Sequence, residues 1–206
     1  RAPWDWRLSL YTWTKGIASG AYLIPALLVL FGLLTTESPL WQWVAPLVAG
    51  VFLALTGLIL IADLDHPERF YLIFTRRQWK SWLVRGAFII TGYAAVLAIH
   101  FLAGFWHEAG QPIQTTLMAL GLPLSVMTAV YTAYLFAQAT ARDLWQNPLL
   151  PFHFFVQALL AGAAVLLPCA TALAPEATSP LAWLLSGLCL LHLLLVLGEV
   201  TLPHPT

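Results

Sequence analysis

What this 206-residue sequence has least of is charge: nine Lys and Arg and nine Asp and Glu, 9% of all residues, with a formal net charge of zero. A water-soluble domain carries about a quarter charged residues, so this chain cannot cover a surface that faces water all round. A zero balance also leaves no basic field for a nucleic-acid partner. Cysteine is nearly missing. Cys169 and Cys189 both fall inside apolar runs, and two such thiols cannot frame a disulfide scaffold, a Cys-x-x-Cys zinc site or a four-cysteine iron–sulfur cluster. They read as small core residues. No small-residue cleavage pattern follows the first apolar run, which therefore reads as a retained helix and not a signal peptide. The chain opens at Arg1 without a Met and stops at Pro-Thr, as a fragment or a processed product would.

What is present is hydrophobic sequence, 60% of the residues, gathered into runs long enough to cross ~30 Å of hydrocarbon at 1.5 Å per residue. Six spans are predicted, at 10–34, 40–62, 82–106, 113–140, 153–174 and 180–201. Polar or proline-bearing segments separate them: Thr35 to Pro39, Asp63 to Ser81, His107 to Pro112, Arg142 to Pro151 and Pro175 to Pro180. The expected fold is an all-α integral membrane bundle, with 1–206 forming one transmembrane domain.

Charge placement orients the spans. Arg1, Arg7, Lys15, Arg69, Arg76, Arg77, Lys80, Arg85 and Arg142 all fall on one face or just inside it, and they are all nine basic residues. The opposite loops carry Glu37, Glu108 and Glu176. Lys/Arg bias marks the cytoplasmic side, so the basic face is predicted cytoplasmic, and nearly all polar chemistry is expected there. The tryptophans, Trp41 among them, read as anchors at the two interfaces.

Ionisable groups at membrane depth are costly and therefore functional candidates. Lys15 is either a snorkelling interfacial lysine or a cation facing a pocket between helices. Gly16 and Gly20 form a G-x-x-x-G that favours close helix packing. Asp63, Asp65, His66, Glu68 and Arg69 crowd the end of the second span, where Asp63 and Arg69 can pair and His66 titrates near neutrality; a proton-handling or subunit-docking role competes with a plain solvated loop. Thr128, Tyr131 and Thr132 share one face of the fourth span, as a ligand-facing hydroxyl set or as interfacial packing. His153 with Gln157, and His192 with Glu199, make turn-spaced polar pairs on the last two spans. They read as a proton path or as interhelical hydrogen bonding. Haem is disfavoured by depth: His100 is predicted roughly 27 Å from the basic face, His192 roughly 14 Å and His153 near it, so no two match.

Three stretches resemble the NrfD/polysulfide-reductase membrane-subunit family. They are WRLSLYTWTKGIASGAYLIPALL, IADLDHPERFYLIFTRRQWKSWLVRGAFII and SVMTAVYTAYLFAQATARDLWQNPLLPFHFFVQALLAGAA, and the likeness runs over nearly the whole chain. The most specific piece is the Asp-Leu-x-x-Pro-x-Arg-Phe run from Asp63 to Phe70, followed by Ser81 and Gly86. The resemblance implies a helical subunit without haem or metal of its own that binds a quinone, menaquinone or ubiquinone. It also implies docking to an iron–sulfur (ferredoxin-like) subunit and, beyond it, a catalytic subunit of the molybdopterin type. By the same resemblance the pocket positions are matched by Lys15, Ser19, Asp63, His66 and Tyr131, with Lys15, Ser19 and Tyr131 expected to bind the quinone and Asp63 or His66 expected to be the acid–base group. His153, His192 and Glu199 remain proton-path candidates. Relatives have eight or more spans, so the resemblance implies a truncated member, placed in a bacterial or archaeal cell membrane.

The function expected is that of the quinone-reactive membrane subunit of a respiratory oxidoreductase, not catalytic alone. Two rivals stay open. A secondary transporter would show inverted repeats and broken helices around a midplane site, and a purely structural anchor would need neither Lys15 nor Tyr131.

Overall fold

The computed structural model describes residues 6–63, 71–75, 79, 81–105, 110–138 and 147–201, with backbone alone at 110–112. Among the described residues six helices are long and apolar enough to cross a membrane, and the protein is a multi-pass membrane bundle. In chain order the helices are α1 (Trp6–Leu30), α2 (Ala45–Ala62), a single turn α3 (Leu72–Thr75), α4 (Trp82–Ala103), α5 (Gly110–Ala137), α6 (Leu150–Leu173) and α7 (Pro175–Thr201). A π-helical turn, Leu40–Val44, leads into α2.

The spans stand within a few residues of their predicted positions, and the differences have local causes. α1 stops four residues early because Gly32 adopts φ +70°. The Leu33 amide then bonds the Leu28 carbonyl at 2.8 Å and the Gly32 amide bonds Val29 at 3.0 Å, a Schellman closure that only glycine enters without strain. α7 begins five residues early because Pro175, predicted as a breaker, sits in the first turn, where its missing N–H has no helical partner to lose. Pro151 does the same for α6.

The polar residues decide which helix is central. α1, the least hydrophobic span, is the most buried: 72% of its central window is covered, against 11% for α7. Lipid solvates leucine as well as a protein interior does, so burial in a membrane bundle falls to helices carrying small and polar side chains. α1 packs against α2, α5 and α6. Its tightest crossing is with α6, where a Cβ on Gly20 would strike the Ala158 backbone and one on Gly162 would strike Gly20. The packing reading of the glycines thus holds, with Ala158 and Gly162 supplying the facing half of the motif.

One end of the bundle collects Arg7, Asp63, Tyr131, His153 and Glu199, linked pairwise by contacts among them and α1. A second polar cluster, away from that end, corrects the expectation of a single polar face. The Tyr22 hydroxyl lies 3.0 Å from His100 Nδ1 and 3.3 Å from the Leu117 carbonyl. Trp41 packs 4.5 Å from the His100 ring and donates Nε1–H to Gln114 Oε1 at 2.8 Å. Trp41 is fully buried, so it is a core residue with a satisfied indole and not an interfacial anchor. Trp6, Trp13, Trp79 and Trp183 are exposed as anchors are.

Candidate quinone site

The site is built on α1. Tyr11 and Lys15, one turn apart, project from the same face, and the end of α5 supplies Ala129, Tyr131 and Thr132. Lys15 is 2% exposed, which removes the snorkelling reading. Its Nζ donates to the Ala129 carbonyl at 3.1 Å and to Thr132 Oγ1 at 2.5 Å. The ammonium also lies 5.1 Å from the ring centres of Tyr131 and Phe154 and 5.9 Å from that of Tyr11, within range for attraction to aromatic faces. Among the described residues no carboxylate pairs with it. The Tyr11 and Tyr131 hydroxyls are hydrogen-bonded to each other. Gly86 on α4 makes room for this arrangement: a Cβ there would overlap the Tyr131 ring.

Two cavities lie beside this group, one bordered by Tyr11 and one by Lys15, and Tyr131 borders neither. The first, about 250 Å³, opens between α1, α2 and the end of α5 and is bordered by Arg7, Tyr11, Asp63 and Phe136. Asp63 caps α2 and pairs with Arg7 at 3.7 Å, its side chain 60% exposed. Asp63 therefore stands at the mouth of the cavity and Tyr11 lies deeper along its wall. The predicted partner of Asp63, Arg69, lies outside the described residues. The second cavity, about 410 Å³, lies between α1, α5, α6 and α7, with Ser9, Thr12, Lys15, Gln157 and His192 as its polar border. Tyr11 thus borders one cavity and Lys15 the other.

The remaining candidates divide. Ser19 is buried, but its hydroxyl is committed to the Lys15 carbonyl at 3.0 Å, and it borders neither cavity. His66 lies outside the described residues. His153 accepts or donates a 2.9 Å hydrogen bond to Glu199 Oε1, and its ring meets the His192 ring edge-on at 4.9 Å. Depth counting separates these histidines; it fails because α7 runs past the start of α6, so that His153 touches two α7 residues seven positions apart, ~10 Å along the axis. The depth argument against haem loses its force at this pair. Sequence reasoning misses Tyr11, although its i−4 relation to Lys15 is a usable signal.

The family described as "Polysulphide reductase, NrfD" matches residues 1–201. Among characterised proteins, the chain is 25% identical over 185 residues to "Protein NrfD" of Escherichia coli (strain K12), covering 80% of this chain and 58% of that protein. It is 24% identical over 205 residues to a selenate reductase subunit of Mesobacillus selenatarsenatis, covering 81% of this chain and 47% of that protein. The chain therefore spans about half the length of the curated relatives it matches.

Proposed function

This chain belongs to the polysulphide reductase NrfD family, and from that premise we propose that it is the quinone-reactive membrane subunit of an oxidoreductase complex. The observation that carries the reading is a buried lysine set among paired tyrosines, with a cavity on either side, inside a lipid-facing bundle. A structural anchor has no use for such a group, since burying an amine without a counter-ion is costly.

A quinone supplies two-electron, two-proton redox chemistry when bound. In this reading Tyr11 and Asp63, on the wall and at the mouth of the first cavity, would hold its ring. Tyr11 and Tyr131 share one hydrogen bond between two hydroxyls, which leaves the second O–H of the pair to turn towards a ring carbonyl. Lys15 holds Thr132 and the aromatic faces around that pair and keeps a proton beside it. Asp63, at the mouth, exchanges protons with water, the general acid–base task, and His66 keeps the companion role given by the family likeness. The partner for electrons is an iron–sulfur subunit docked at the basic end, with a molybdopterin-type catalytic subunit beyond it; the Lys/Arg bias supports a cytoplasmic basic face in a bacterial or archaeal cell membrane. The cavity offers one hydroxyl, from Tyr11, among Leu8, Ile59, Leu60, Leu135 and Phe136, a lining that does not choose between menaquinone and ubiquinone.

The test is quinone turnover in the assembled complex. Lys15→Met and Tyr131→Phe should each lower it about tenfold or more, while the partner subunits keep their activity with soluble dyes. Parent-level quinone turnover in both variants would overturn the assignment and favour an anchor.

A further inference from the structure

We propose that the cavity between α1, α5, α6 and α7 is a proton route, along which Glu199, His153 and His192 connect the aqueous boundary with the Lys15 amine. The inference rests on the quinone reading above and adds to it the path by which the buried amine is loaded and emptied.

Four observations carry it. Glu199 and His153 are hydrogen-bonded at 2.9 Å with side chains 19% and 12% exposed, and Glu199 stands two residues from the end of α7. The His153 ring meets His192 at 4.9 Å. His192 Nδ1 is buried and has no hydrogen-bond partner among the described residues, although buried polar atoms are nearly always partnered. Finally, His192 and Lys15 border the same cavity of about 410 Å³. At ~30 Å³ per molecule that volume holds several waters, and Thr12, Ser9 and Gln157 offer them partners. A purely structural role for the α6–α7 pair accounts for Glu199 and His153. It leaves the unpartnered nitrogen and the shared cavity without purpose.

The step balances simply. Oxidation of a quinol would deliver two electrons, one at a time, to the partner's iron–sulfur centre and release two protons. One proton would leave through Asp63 at the mouth of the first cavity, and the other would form an N–H bond at the Lys15 amine. Lys15 then loses an N–H proton to the cavity waters, His192 and His153 pass it on, and Glu199 gives it to bulk water. Quinone reduction runs the same bonds in reverse.

The intact complex is assayed with a short-tailed quinol. His192→Ala and Glu199→Gln should each lower kcat about tenfold with KM within about twofold, and added imidazole should restore most of the rate in His192→Ala. Glu199→Gln keeps a hydrogen bond to His153 but cannot take up and release a proton, so a structural role predicts parent activity there. In quinone-free complex, Thr12→Cys should react with a small water-soluble thiol reagent above the background of Cys169 and Cys189, reporting a hydrated cavity. Parent-like kcat in Glu199→Gln, absence of imidazole rescue, or an unreactive Thr12→Cys would overturn the route. If Lys15→Met and Tyr131→Phe are slow while the His192 and Glu199 variants are normal, the route alone falls; if Lys15→Met and Tyr131→Phe are both normal, the quinone reading falls.

Discussion

At the scale of single residues, the proposed function turns on hydroxyl and amine hydrogens that are buried and given few partners. Lys15 spends two donors on Ala129 and Thr132, and the two tyrosines spend one O–H on each other. That leaves one hydroxyl hydrogen with a choice of direction, which is what a carbonyl ligand needs. Tyr11→Phe should therefore slow quinone turnover about as much as Tyr131→Phe, roughly tenfold, measured in the assembled complex; a parent rate would mean that Tyr131 acts without its partner. Lys15 and Tyr131 were conspicuous in the sequence, because an amine inside an apolar run and hydroxyls at i, i+3 and i+4 stand out. Tyr11 was not, because a tyrosine near a membrane surface is ordinary until its partner on a distant helix is known. The pairing of Asp63 with Arg7 was illegible for the same reason: nearness across helices leaves no spacing to read.

At the scale of helices, close approach of α1 and α6 places Lys15 beside Phe154 and the second cavity. The contact is backbone to backbone at Gly20 and Gly162, whereas Gly50 and Gly57 on α2 have nothing within 4 Å of an added Cβ. Gly20→Leu or Gly162→Val should cost more than the ~1–3 kcal/mol usual for overpacking, since backbone cannot repack. Gly50→Ala should be tolerated. Yield of folded protein and thermal midpoint in detergent check this; equal behaviour of the three would contradict the packing. Span positions were readable to within about five residues, because hydropathy and length set them. Which span is central was readable only indirectly, from the polar residues of α1, and the π-turn before α2 left no mark in the sequence.

At the scale of the whole molecule, six apolar helices surround a polar axis that runs from Arg7 and Asp63 through Tyr11, Tyr131 and Lys15 to the His192 cavity. The expectation of one polar end was sound for that axis and incomplete for the bundle, because Tyr22, Trp41, His100 and Gln114 form a second buried network. Each of these residues is unremarkable within its own run, and only the tertiary fold joins them. The central claim is that a quinone ring lies against the Tyr11–Tyr131 pair. The most direct measurement is photolabelling of the assembled complex with an azido-quinone, followed by peptide mapping. Label on the segments carrying Arg7 to Lys15, Ile59 to Asp63 or Tyr131 to Phe136, displaced by excess quinone, is the predicted result. Displaceable label confined to other segments would contradict that placement.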